Sequence, residues 1–255
     1  MNVALCGYGR MGREIEQVLI SRGHTVATRI DPSDAGADVR SVEQAPLQQC
    51  DAVIEFAHAD GVVTNARAYV EAKVDAVIGT TGWENAQQEV GRIVGTRIGY
   101  VLGSNFSVGA NLFFRMVAHA AGLADAFDEY DVALYESHHN RKADSPSGTA
   151  LTLALTLLSR IERKTEIVDD TLRRPIQPGE LHVASMRIGS DPGTHTVSFD
   201  SSADTIELRH RARNRGGFAL GAVRAAEWIS GRHGFFTVDD MMNDLLERTG
   251  GLHNV

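Results

Sequence analysis

A glycine turn set between a strand and a helix constrains this chain more than any other feature. Gly7-Tyr8-Gly9-Arg10-Met11-Gly12 fits GxGxxG, directly follows the apolar run Val3–Cys6 and opens the helical pattern Met11–Ser21. In such a turn the first glycine permits the tight bend, the second lets backbone approach a pyrophosphate, and the third allows close helix–strand packing. The helix start then offers free N–H groups and a partial positive charge to the anion. Asp31 closes the next strand, 19 residues after Gly12, where a carboxylate commonly bonds the ribose hydroxyls of a dinucleotide and repels a 2′-phosphate. Arg29 and Arg10 stand close enough in sequence to soften that discrimination.

Short apolar runs alternate with helical spacing through the first half. Strands are predicted at Val3–Cys6, Thr25–Ile30, Ala52–Phe56, Ala76–Ile78 and Tyr100–Leu102, with helices near Met11–Ser21, Gly61–Ala72 and Asn85–Val94. That alternation implies βαβ units and a parallel sheet. Two more loops fall at strand ends, where ligands of such sheets bind: Gly79-Thr80-Thr81-Gly82, and Ser104-Asn105-Phe106-Ser107. Beyond about residue 105 the pattern changes. A helix at Leu112–Ala124, a strand at Asp131–Glu136 and a helix at Ser147–Arg163 precede three successive strands, Leu181–Ile188, His195–Phe199 and Thr205–His210. Strands in succession suggest an antiparallel or mixed sheet. The closing helices, Gly221–Ser230 and Val238–Glu247, suit either half. With 216–255 placed on the first, the expected division is a dinucleotide-binding domain of 1–105 and 216–255, and a substrate-binding and oligomerisation domain of 106–215.

Composition narrows the function classes. The 255 residues carry a formal net charge of −8, which disfavours a nucleic-acid binder living on phosphate contacts. No apolar run approaches the roughly 20 residues a membrane span needs. The start lacks a signal-peptide pattern, so a cytoplasmic location is expected. Cys6 and Cys50 form no CxxC pair, and neither a disulfide nor a metal site is expected.

Tyr135 to Ala150 reads YESHHNRKADSPSGTA and is the most informative stretch. It is expected to be a loop between a strand and a helix. His138, His139, Arg141 and Lys142 concentrate positive charge within five residues of an acidic chain. Ser147 is a suitable N-cap, and the helix start at Gly148-Thr149 can donate N–H bonds to a carboxylate. The segment therefore reads as an anion site beside a titratable acid, since histidine supplies protons near neutral pH. His119, His182, His195 and His210 lack such company and receive no role.

This segment resembles the signature of the dihydrodipicolinate reductase family, approximately E-x-H-H-x-x-K-x-D-A-P-S-G-T-A, with Ser145 in place of the usual alanine. The opening GxGxxG, Gly79-Thr80-Thr81-Gly82, Asn105-Phe106-Ser107-Val108-Gly109 and the stretch Gly216–Trp228 follow in family order, so the resemblance covers nearly the whole chain. It implies a Rossmann-type parallel-sheet domain plus a smaller α+β domain with a mixed or antiparallel sheet, assembled as a homotetramer through the sheets of the second domain. It implies NAD(P)H-dependent reduction of 4-hydroxy-tetrahydrodipicolinate, or of the dihydrodipicolinate formed by its dehydration, to tetrahydrodipicolinate. By carry-over His138 is the general acid and Lys142 assists it. His139, Lys142, Gly148 and Thr149 hold the carboxylate of a small dicarboxylic substrate. Gly7, Tyr8, Gly9, Arg10, Met11, Gly12, Asp31, Gly79, Thr80, Thr81, Ser104, Asn105 and Phe106 contact the cofactor. Arg215 is assigned to orienting the substrate or the domain boundary. Members favouring NADP tend to carry an arginine right after the acidic residue. Pro32 stands there, so NADH is the expected reductant and NADPH a second one. Two competing readings, another nicotinamide dehydrogenase of a small acid and a redox-sensing regulator, would keep the glycine turn without requiring the double-histidine segment.

Overall fold

The computed structural model describes residues 1–248, so the last seven positions of the segment 216–255 lie outside it. The chain divides into two compact units, Met1–Val108 together with the segment from Arg215 onward, and Gly109–Asn214.

The first unit begins β1 (Asn2–Cys6), α1 (Arg10–Ser21), β2 (Thr25–Ile30), β3 (Ala52–Glu55), α2 (Val62–Ala72), β4 (Asp75–Ile78), α3 (Gln87–Val94) and β5 (Gly99–Leu102). All its strands pair in parallel, and β2 and β3 lie on opposite sides of β1. The winding direction therefore reverses at β1, which opens a ligand crevice at the carboxyl ends of the strands. The interiors of β1, β3, β4 and β5 are apolar without alternation because helices cover both faces. α1 turns Ile15 and Leu19 onto one face, at the i, i+4 spacing of a helical stripe. Tyr69 of α2 and Val90 and Val94 of α3 pack on the other.

The second unit contains α4 (Val108–Asp125), which starts one residue before its boundary, then β6 (Asp131–His138), α5 (Gly148–Leu158), β7 (Glu166–Val168), β8 (Glu180–Arg187), β9 (Thr194–Asp200) and β10 (Thr205–Arg211). Its sheet is mixed, as expected, in the order β10-β9-β6-β8-β7. β6 runs parallel to β8 and antiparallel to β9. One face is covered by α4 and α5, where Phe113, Val117, Leu153 and Leu157 meet Val132, Leu134, Val183, Val197 and Phe199. The opposite face bears Tyr135 and Met186, which are 42% and 55% exposed.

The chain then returns to the first unit with α6 (Gly216–Ile229), β11 (Gly234–Thr237) and α7 (Val238–Arg248). β11 adds to the edge of the parallel sheet beside β5. Ala222, Ala226 and Ile229 of α6 and Met241 of α7 join the core with Ile15 and Leu19.

Several features depart from the expectations, and α4 and α6 begin at Val108 and Gly216, ahead of the expected Leu112 and Gly221. β6 continues through His138, so the double-histidine segment is not wholly a loop: pairing of His138 with Arg187 on β8 extends the strand. The helix begun at Ser147 ends at Leu158 rather than Arg163. Past it, Ile161 turns into the core and the buried Lys164 is tied by its ammonium to the Glu180 carbonyl (2.8 Å) and to Asp131 (2.6 Å). Finally, β7 and β11 have three and four residues, too few to show a period of their own.

Candidate active site

In the first unit, register sets the site. Cys6, Ile30, Glu55, Ile78 and Leu102 stand level across the sheet. The loops that leave them emerge along one edge. In the first loop Gly7 has φ +91°, and a Cβ on it would sit 2.1 Å from the Phe56 carbonyl oxygen. A Cβ on Gly12 would sit 2.3 Å from the Gly7 oxygen. Gly9 is different, because a Cβ there meets nothing within 4 Å. Gly9 also caps α1 without a side chain, leaving the first-turn N–H groups to an external acceptor. These are the three requirements of a pyrophosphate turn.

Tyr8 is buried, with its hydroxyl bonded to Glu16 and its ring under the Arg13 guanidinium, so its side chain is committed within the protein. Met11 packs against the core and Arg10 is exposed. The Asp31 carboxylate accepts the Tyr8 N–H and the Asp34 N–H, each at 2.9 Å, and both the N–H and the hydroxyl of Ser33. Burial pushes its carboxyl up, but those donors outweigh it and hold it at about 2. It is thus a fixed anion at the end of β2. Arg29 is committed to Glu16 and Asp38, and Arg13 to Asp34. The softening expected of Arg29 is therefore lost to acidic partners.

In the second loop a Cβ on Gly79 would overlap the Phe56 ring at 2.1 Å. Thr80 is buried and its hydroxyl accepts the Ala57 N–H (2.9 Å), while Thr81 is exposed. The carboxyl of Glu55 lies beneath, fully buried, taking hydrogen bonds from Tyr69 (2.6 Å) and Asn65 (3.1 Å), and burial pushes it up. In the third loop Ser104 is exposed and the Asn105 side chain accepts the Ser107 N–H (2.9 Å). The Phe106 ring is core, tilted against Phe56, which leaves its backbone as the part able to contact a ligand.

In the second unit the helix-covered sheet face changes character along its length. Inward positions are apolar at one end of β6, Val132 and Leu134, and polar at the other, Glu136 and His138. Register sets Glu136 opposite Ser185 and His195, and His138 opposite Arg187. His195, given no role from sequence, is thereby brought edge-on to His138 with ring centroids 5.2 Å apart. The Nδ1–H of His138 donates to one Glu136 oxygen, and Arg187 donates to the other at 2.9 Å. Burial pushes the Glu136 carboxyl up, yet hydrogen bonds including those of Arg187 and His138 hold it below its usual range, so it is an anion. Burial, followed by the charge of His138, lowers His195 to about 4 and keeps it neutral near pH 7. Its Nε2 lies 3.1 Å from the Ser147 hydroxyl, which accepts the Ala150 N–H at 3.2 Å as the expected N-cap.

That cap leaves the N–H groups of Gly148 and Thr149 outside the helix's own bonding pattern, the requirement for a carboxylate cradle. Lys142 lies beside the segment with its ammonium 2.9 Å from Asp144. His139 is partly buried, with an unpartnered Nδ1. Glu136, His138 and His195 offer donor atoms within 4.8 Å of one another, a trio that sequence spacing does not reveal. Since the Glu136 oxygens already accept from His138 and Arg187, the trio forms a hydrogen-bonded proton site before it forms a metal cage. Arg215 starts α6 in the first unit without a side-chain cap contact.

The family described as dihydrodipicolinate reductase matches twice, its N-terminus over residues 1–106 and its C-terminus over 109–242. A 4-hydroxy-tetrahydrodipicolinate reductase of Christiangramia forsetii is 36% identical over 97% of this chain and 100% of its own length. One of Archaeoglobus fulgidus is 35% identical over 95% and 100%. Among solved structures, the dipicolinate-bound dihydrodipicolinate reductase of Paenisporosarcina sp. TG-14 superposes with a TM-score of 0.78 at 20% identity, over 94% of this chain and 99% of that one. An amine dehydrogenase of Mycobacterium smegmatis reaches 0.61 at 14% identity over 94% and 95%, so fold alone does not choose the substrate. The sequence matches over both units do choose: the chain is an oxidoreductase and belongs to the dihydrodipicolinate reductase family.

Proposed function

We propose that this chain reduces 4-hydroxy-tetrahydrodipicolinate, or the dihydrodipicolinate formed by its dehydration, to tetrahydrodipicolinate in lysine and diaminopimelate biosynthesis, with NADH as the preferred reductant and NADPH as a second. The observation that carries this reading is the buried Glu136–His138 pair in the same unit as the start of α5, where the Ser147 cap leaves the Gly148 and Thr149 N–H groups outside the helix's own bonds.

The dinucleotide fits the first unit at an uncapped helix start with open space at Gly9 and an ionised carboxylate at Asp31. When bound, it supplies the hydride. Gly7 to Gly12 hold the pyrophosphate by backbone, and Asp31 takes the ribose hydroxyls and repels a 2′-phosphate. Gly79, Thr80, Thr81, Ser104, Asn105 and Phe106 line the same sheet edge for the nicotinamide half. In the second unit His139, Lys142 and the N–H groups of Gly148 and Thr149 hold a substrate carboxylate. Lys142 exchanges Asp144 for that carboxylate, and the fixed orientation is worth several kcal/mol of barrier at best. Hydride arrival leaves negative charge on the substrate, and His138 delivers a proton through Nε2 while Lys142 assists.

The uncovered sheet face with Tyr135, Ala184 and Met186 supports assembly as a homotetramer through second-unit sheets. Among the described residues no helix is long and apolar enough to cross a membrane, and we place the enzyme in the cytoplasm. The test couples the protein to a dihydrodipicolinate synthase and follows NADH and NADPH oxidation separately. Oxidation of neither overturns the function. Faster use of NADPH overturns the cofactor preference alone.

A further inference from the structure

Glu136 has so far been given no role of its own in the reaction, yet its carboxylate is buried and takes three hydrogen bonds. It stands two residues before His138 on β6, so the strand period puts both side chains on one face. It is buried, and its carboxylate takes hydrogen bonds from three neighbours. One oxygen takes His138 Nδ1–H; the other takes Arg187 Nη1 at 2.9 Å and the Ser147 N–H at 3.4 Å. Arg187 is anchored in turn, donating to the Asp144 carbonyl and, at 2.9 Å, to that of Met186. One carboxylate therefore links the ring, the double-histidine segment and the residue that caps α5.

The far side of the ring is shaped as well. Gly193, in the turn between β8 and β9, has φ +134°, and a Cβ on it would sit 2.8 Å from His138 Nε2. Glycine keeps that nitrogen clear.

We propose that Glu136, held by Arg187, is the positioning residue of the proton donor. It binds Nδ1–H of His138, leaves Nε2 as the nitrogen that gives up the proton, and favours the protonated ring by its charge. An ionised carboxylate can only accept, so it selects the Nδ1–H tautomer of the neutral ring. Charged and titratable groups also stand near this ring on neighbouring elements: Arg187 opposite it on β8 and His195 edge-on to it on β9, with Lys142 and His210 acting in turn on His195. Among the described residues, Glu136 is the carboxylate bonded to the ring.

The inference rests on His138 being the acid, so the experiment separates the two. Glu136→Gln keeps shape and one acceptor but removes the charge. The alkaline limb of the kcat/KM profile should therefore move toward acid, with activity about tenfold down at neutral pH, restored on acidification, and KM for NADH unchanged. A merely structural role would lower activity equally at every pH. Unaltered turnover in His138→Gln overturns the acid assignment and this inference with it. Slow turnover in His138→Gln with an unmoved limb in Glu136→Gln overturns this inference alone. Should Glu136→Gln fail to fold, ¹⁵N spectra of histidine-labelled wild type, assigned with His138→Gln, decide the matter: the neutral His138 ring must carry its proton on Nδ1, and a proton on Nε2 overturns the inference.

Discussion

Alanine at Gly7 and alanine at Gly9 should produce opposite defects, although the two positions lie two residues apart in one turn. At Gly7 the new Cβ meets the Phe56 carbonyl oxygen at 2.1 Å with φ at +91°. An L-residue forced into that region costs about 1–2 kcal/mol, and overpacking against backbone adds roughly 1–3 kcal/mol. A loss of about 2–5 kcal/mol corresponds to a Tm lowered by some 5–15 °C at this chain length. At Gly9 the φ of −74° is open to any residue, and nothing lies within 4 Å of a Cβ. Gly9→Ala should therefore melt within about 2 °C of wild type, helped by the lower entropy of its unfolded chain. Its methyl occupies the approach of the pyrophosphate, so the Kd for NADH should rise at least tenfold. The assays are thermal denaturation by circular dichroism and titration of NADH fluorescence. Unchanged NADH affinity in a well-folded Gly9→Ala protein would refute the reasoning, because the open space would then have no ligand to serve.

His138→Gln should lower kcat at least tenfold with a modest change in KM, whereas Lys142→Ala should damage both, and steady-state kinetics separate them. His195 is held at about 4, below its unfolded value of 6.5, mainly by burial. The folded state thus resists protonating it, and its contribution to stability, complete above pH 6.5, is lost as pH falls from 6.5 toward 4. Denaturant melts across that range should show the loss in wild type and a flatter profile in His195→Asn. Asp31 is depressed to about 2, so its contribution holds above about 4 and disappears between 4 and 2. Asp31→Ser should also raise the NADPH-to-NADH ratio of kcat/KM, and an unchanged ratio would remove Asp31 from cofactor selection.

The nucleotide turn is readable from sequence because its strand, bend and helix are contiguous, and each glycine answers to a neighbour a few positions away. The second unit is different. His138 and Lys142 stand out by composition, but Glu136 looks like an ordinary strand residue until its burial and partners are known. Arg187 and His195 lie far along the chain and reach the site only through sheet register, which one sequence read alone does not specify. The same cause hides the end of β6: the polar Ser137 and His138 look like a loop until Thr194 and Arg187 pair across from them. Glu55 escapes notice for a related reason, since its hydrogen-bonding partners come from α2 and the loop after β4.

The face shared by β6, β8 and β9 carries core residues at one end and the proton site at the other, and alternation is strict along β6. Slipping β6 by one position would turn Tyr135 and Ser137 inward and send Glu136, His138 and Leu134 to the outer surface together. A misregistered molecule thus forfeits hydrophobic packing and proton delivery in the same event. A slip of β6 should consequently remove a molecule from the active count altogether instead of slowing it.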